Sequence, residues 1–240
     1  MSAEAWGVQS RWMRNYEDDM SRDQTGIAQL GIGTGDFTIS LFVMAADATA
    51  GSDILQINGD TNARTNATLV LYRRSGDTRI YINGVFDQFA TGAWAVGEIH
   101  HAVVRRQSGT VGFWWDGVQD ASTASYSDDI ADADVWISGE LEANANLSHA
   151  AIWNRALTEP EIKRLAQQHS PLEFSQNLKA YWPLQNDLRD HVGTAHVTST
   201  TGTPTWNTDG VPLLQRPRIP QYWPVVGAAP PAARRVFVIS

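Results

Sequence analysis

The sequence predicts an all-β chain, a sandwich or barrel of antiparallel strands carrying one short helix and an extended C-terminal arm. Three observations predict it. Short segments between Asp36 and Trp153 alternate apolar with smaller or polar residues, Gly, Asn and Asp turn signals separate them, and a single stretch carries a helical cap and stripe.

Taking the elements in order, Phe37, Ile39, Leu41 and Val43 alternate with Thr38, Ser40 and Phe42, the pattern of a strand with one face in a core. Residues 68–73 (Thr-Leu-Val-Leu-Tyr-Arg) and Arg79-Ile80-Tyr81-Ile82 read the same way, with Ser75-Gly76-Asp77 turning between them. Asn83-Gly84 and Asp116-Gly117 are hairpin signals, because Asn, Asp and Gly tolerate the positive φ of tight turns. Thr158 and Glu161 form a capping box, Pro160 fits the first turn, and Ile162, Leu165 and Ala166 make one apolar stripe. That helix is expected to plug one end of the sandwich. Near the N-terminus Trp12, Met13 and Tyr16 share a helical face and suggest a second helix.

The order of certain pieces carries a resemblance. Glu98-Ile99-His100-His101-Ala102-Val103-Val104 leads into Phe113-Trp114-Trp115-Asp116-Gly117. Ser148-His149-Ala150-Ala151-Ile152-Trp153-Asn154-Arg155-Ala156-Leu157 then precedes the helix signal. From about Gly35 to Gln168 the chain resembles the laminin-G-like, or concanavalin-A-like, jelly-roll family. The resemblance implies a two-sheet antiparallel β-sandwich that binds rather than converts, on a scaffold that hosts many unrelated roles. Residues 178–184 (Leu-Lys-Ala-Tyr-Trp-Pro-Leu), with Asp187, Asp190 and the run Ala195 to Trp206, look like opening strands of that family displaced downstream. The expected organisation is an N-terminal arm (1–22), a laminin-G-like sandwich (23–172), strands completing the sandwich in permuted order (173–207) and a Pro-rich extended arm (208–240).

The chain has 240 residues, enough for one sizeable core, and no cysteine among its ten tryptophans, so disulfides do not hold it together. The net charge of −8 argues against general nucleic-acid binding, which relies on basic surface. No apolar run approaches the roughly 20 residues of a bilayer span, and Met1 to Asp19 has no leader-like stretch, so a soluble protein without a signal peptide is expected. Seven of the ten prolines fall between Pro204 and Pro231. No acidic residue follows Asp209, whereas Arg216, Arg218, Arg234 and Arg235 make the end basic. With Leu213, Trp223, Val236 and Phe237 among them, residues 208–240 read as an arm that lies on a protein surface, anchored by Trp223 and Phe237 and steered by those four arginines.

Several side chains qualify as site residues. His100 and His101 point to opposite faces of a strand and are expected to make structural hydrogen bonds rather than hold zinc. Asp128, Asp129, Asp132 and Asp134 crowd one loop, where calcium competes with a plain solvated acidic loop. Glu140 and Glu142 share a strand face, as glycosidase carboxylates do, yet the acidic alternation stops there and a polar face is the simpler account. No Cys and no G-x-S-x-G elbow supports a nucleophile. Trp94, Trp114, Trp115 and Trp136 offer flat faces for sugar stacking, with Trp94 and Trp114 the carbohydrate candidates. Trp114 and Trp115 must face opposite ways, one in the core and the other exposed or covered by a partner. Arg73-Arg74 and Arg105-Arg106 read as solvated strand edges.

The cysteine-free sandwich, the lack of a signal peptide and the apolar, proline-rich basic tail resemble bacteriophage virion proteins of this family, which implies a non-enzymatic structural protein, a capsid-decoration or tail-associated one. It would need no cofactor and would assemble through its arm as a homo-oligomer, with a trimer as the candidate symmetry, on a capsid or other virion protein. The alternative is a carbohydrate-binding or adhesion module, with calcium as a conceivable aid.

Overall fold

The computed structural model describes residues 12–14, 20–22, 30–45, 52–57, 69–74, 77–82, 85–88, 95–130, 135–137, 145–185, 188–194, 205–207 and 213. The strands are β1 (Trp12–Arg14), β2 (Met20–Arg22), β3 (Phe37–Ala45), β4 (Ser52–Ile57), β5 (Leu69–Arg74), β6 (Asp77–Ile82) and β7 (Val85–Gln88). They continue with β8 (Ile99–Gln107), β9 (Thr110–Trp115), β10 (Val118–Ser125), β11 (Val135–Ile137), β12 (Ala145–Trp153), β13 (Leu178–Trp182) and β14 (Thr205–Asn207). One α-helix, α1 (Glu159–Ala166), and a 3-10 turn, Pro171–Phe174, complete the described elements.

Two antiparallel sheets form the sandwich. The larger runs β10-β9-β8-β3-β12-β1-β14, with β13 also on β12, and the smaller runs β2-β11-β4-β5-β6-β7. Their facing surfaces make one core. Phe37, Ile39, Leu41, Val43, Ala102, Val104, Phe113 and Ile152 of the larger sheet meet Ile54, Ile57, Leu69, Leu71, Ile80 and Val135 of the smaller. The alternation at 37–43 therefore points its odd-numbered residues inward, as the sequence predicts.

Hairpin geometry follows the turn residues. Asp116 (φ 52°) and Gly117 (φ 80°) both take the left-handed conformation between β9 and β10, closing the pair Trp115–Val118. Ser108 (φ 50°) and Gly109 (φ 77°) do the same between β8 and β9, a turn the sequence reading did not single out.

The edge of β12 opposite β3 is divided. Leu147 and Asn146 pair with β1, and Ala150 to Trp153 pair with β13. A bulge at His149 (φ 53°) separates the two pairings to β3, so Ser148 and Ala151 both reach the outer face while Ala150 enters the core.

Two expectations change. Trp12–Arg14 is a strand between β12 and β14, not a helix. Its local helical spacing gives way to two rows of sheet hydrogen bonds that a three-residue helix could not match. The helix α1 forms where predicted, with the Thr158 N–H donating to the Glu161 carboxylate at 2.8 Å and the Glu161 N–H returning to Thr158 Oγ1 at 3.4 Å. It does not plug an end of the sandwich, however. Ile162 and Leu165 pack with Val103, Trp114, Ala151 and Trp153, the outer face of the larger sheet. Those residues are apolar on the side facing away from the main core, so α1 supplies the cover they need. Gly117 makes the contact close, since a Cβ there would stand 3.1 Å from the Ala166 Cβ. None of the described helices is long and apolar enough to cross a membrane.

Candidate functional site

Beyond the cover of α1, the outer face of β8, β9 and β10 holds a recess of about 320 Å³. Register builds it. Gly112 stands opposite Arg105 on one side and Thr123 on the other, Thr110 opposite Gln107, and Trp114 opposite Gln119. Cross-strand partners share a face, so these side chains and Ser108 converge on one surface. Arg105 is half-buried, Gln107, Ser108, Thr110, Gln119 and Thr123 are exposed, and Gly112 and Trp114 form the buried floor. Gly112 is what opens the space: a Cβ there would meet Trp114 Cη2 at 3.0 Å and Gln119 Nε2 at 3.3 Å.

Trp114 is present at this site but not as the exposed stacking platform expected from sequence. It is 2% exposed. The Arg105 guanidinium lies over its ring at 4.2 Å, and the apolar cluster beneath α1 encloses the rest. Trp115 turns to the other face, packs against the main core and stacks on His100 at 4.6 Å. Trp114 is thus covered and Trp115 half-buried, because each sheet face has its own apolar layer.

The arginine pair is also not a solvated edge. Arg106 is fully buried and donates to the carbonyls of Gly33, Gly35 and Asp128, pinning the loop before β3 to the loop after β10. Its guanidinium sits 5.1 Å from the Phe37 ring. Arg105 faces the opposite way, where Nη1 donates to the Leu157 carbonyl at 2.9 Å. Burial pushes the guanidinium of each downward, less favourable for charge than water.

The two histidines divide as expected. His100 Nδ1 is 2.8 Å from Asp116 Oδ2, a bond that raises the imidazole above its usual range against the effect of burial. Burial works against the Asp116 carboxylate, yet the bonds from His100 and from the His101 N–H hold it below its ordinary value. His101 on the other face bonds Ser40, and burial drives it down to about 3.

Asp128 and Asp129 are exposed, and among the described residues no three His, Cys, Asp or Glu side chains converge. Asp132, Asp134, Glu140, Glu142, Trp94, Arg216, Arg218, Trp223, Arg234, Arg235 and Phe237 lie outside the described residues, as does the side chain of Trp136. The sequence reading missed Gln107, Thr110, Gln119 and Thr123. Their signal was a polar stripe facing a strand glycine, which becomes readable only once the hairpin registers at 108–109 and 116–117 are fixed.

Residues 19–163 match the profile of the concanavalin A-like lectin/glucanases superfamily, laminin-G type. The chain belongs to this family. The match contains every residue lining the recess, while β1, β13 and β14 join the larger sheet from outside it. Members of this laminin-G-type family are usually non-catalytic. The family fold recurs in a candidate carbohydrate-binding protein from Bacteroides ovatus, at TM-score 0.66 and 14% identity over 85% of this chain. The chain spans 61% of that protein's length. A heptameric SAP-like pentraxin from Limulus polyphemus matches at TM-score 0.53 and 10% identity, covering 84% of this chain and 95% of the pentraxin. A Trypanosoma rangeli sialidase aligns at TM-score 0.46 and 16% identity, over 55% of this laminin-G-type chain and 23% of its own. No curated protein matches the sequence.

Proposed function

We propose that this chain is a non-catalytic glycan-binding domain that takes a sugar in the recess formed by β8, β9 and β10. The observation that carries the reading is the lining itself. Gln107, Ser108, Thr110, Gln119 and Thr123 present amide and hydroxyl groups around a floor of Gly112 and Trp114. Such groups match the alternating donors and acceptors of sugar hydroxyls, and about 320 Å³ falls at the lower end of small-ligand sites. The designation of the Bacteroides ovatus protein as carbohydrate-binding points the same way.

Glycan-array binding of the intact chain, repeated with Gln119→Ala and Gln107→Ala, tests it. Binding that weakens at least about tenfold in either variant, with the melting temperature unchanged, is the expected result. Full binding in both variants would place the ligand elsewhere.

The structural role in a virion is a separate proposal, carried by the proline-rich basic sequence of residues 208–240. It does not compete for the recess, and truncation tests it independently.

A further inference from the structure

Among the described residues lining the recess Arg105 is the one charged side chain, and its circumstances differ from those of the other arginines around it. Arg155 is neutralised by Glu161 at 2.7 and 2.9 Å, and Arg164 by Glu173 at 2.7 Å. Arg106 spends its donors on three carbonyls. Arg105 uses Nη1 for the Leu157 carbonyl, and its Nε is enclosed with no acceptor. Among the described residues no carboxylate forms an ion pair with it; Glu159 and Asp36 act on it only through longer-range attraction. The indole of Trp114 covers one face of the guanidinium and holds it against the recess floor.

A half-buried cation whose nearest carboxylates act only at longer range keeps part of its desolvation uncompensated, which an arriving anion offsets. Guanidinium presents a planar fork suited to the paired oxygens of a carboxylate or a sulfate ester. Among the described residues the recess lining contains no Asp or Glu, and the carboxylates of Glu159 and Asp36 act on Arg105 only at longer range.

We infer that the recess selects sugars bearing a negative charge, a ring carboxylate or a sulfate ester, and that Arg105 is the residue that receives it. The neutral side chains at Gln107, Thr110, Gln119 and Thr123 then bind ring hydroxyls, and Arg105 decides between an acidic sugar and its neutral counterpart. This rests on the glycan-binding reading above.

The test uses the intact chain and matched pairs of saccharides: polygalacturonate with its methyl ester, and dextran sulfate with dextran, together with an array of acidic glycans beside their esterified or desulfated forms. The two arms separate carboxylate from sulfate recognition. The expected result is that the acidic member of at least one pair binds about tenfold tighter or more, a preference that survives 0.15 M salt and disappears in Arg105→Gln. Gln119→Ala should weaken both members and keep the preference. If Arg105→Gln fails to fold, the comparison of matched pairs on the unsubstituted protein still decides. Neutral members binding as well as acidic ones would overturn the assignment of charge while leaving the glycan-binding reading intact. Absence of binding to every saccharide would overturn both.

Discussion

Ser40 and His101 meet diagonally across β3 and β8 on the outer face of the larger sheet, with Oγ 2.8 Å from Nε2 and both residues buried. The imidazole is held neutral there, since burial drives it down from 6.5 to about 3. As pH falls the unfolded chain therefore binds the proton first. Stability from this group is complete above 6.5 and declines toward pH 3, with a slope approaching about 1.4 kcal/mol per pH unit. His100 works in the opposite sense: its raised value means that its bond to Asp116 stabilises fully below 6.5 and is lost as pH rises through the folded value. Urea unfolding between pH 6.5 and 5, above the carboxylate range, should show the net loss, and His101→Asn should reduce the slope. A wild-type protein equally stable at pH 6.5 and 5, with an unchanged slope in the variant, would contradict this account.

Gly112 sets the depth of the recess. Gly112→Ala places a methyl group 3.0 Å from Trp114 Cη2 and 3.1 Å from Cζ3, forcing the buried indole to shift. We expect a loss of about 1–3 kcal/mol, the usual cost of overpacking, together with a larger proportional loss of glycan binding than of stability. Thermal melts and array titrations on the same preparation separate the two effects.

The fold was legible because its signals are local. The alternation at Phe37 to Val43, the Asp116-Gly117 turn and the capping box at Thr158 each announce one element whose geometry depends on neighbouring residues alone. The site was less legible. Trp114 was singled out for its chemistry, but its burial depends on α1 and on Arg105, contributed by other elements. Arg105 and Arg106 look equivalent in sequence, and only the strand's two faces assign one to a recess and the other to a carbonyl cage. The helical spacing of Trp12 and Met13 misled for the same reason, since pairing with β12 and β14 outweighs local propensity.

Arg106 should tolerate almost nothing. Arg106→Lys keeps the charge but replaces a planar fork by a single ammonium, which cannot serve the carbonyls of Gly33, Gly35 and Asp128 together. Loss of two bonds to a charged donor is expected to cost about 3 kcal/mol or more. The midpoint of denaturant unfolding reads this directly, and hydrogen exchange should locate the loosening at Gly33 and Ile130, which are bridged in the fold.

Deleting residues 211–240 should abolish assembly and leave the sandwich folded, if the basic, proline-rich segment makes the protein contacts its sequence suggests. Light-scattering mass and circular dichroism of the intact and shortened chains provide the check. An unchanged mass would remove the assembly role, and loss of the β signal would give the segment a part in folding instead.

The divided edge of β12 has a consequence for folding. Segments that lie some 165 residues apart, β1 and β13, must both reach the same strand before the larger sheet is complete. Until β13 docks, half of one β12 edge stays open to pairing with any neighbouring chain.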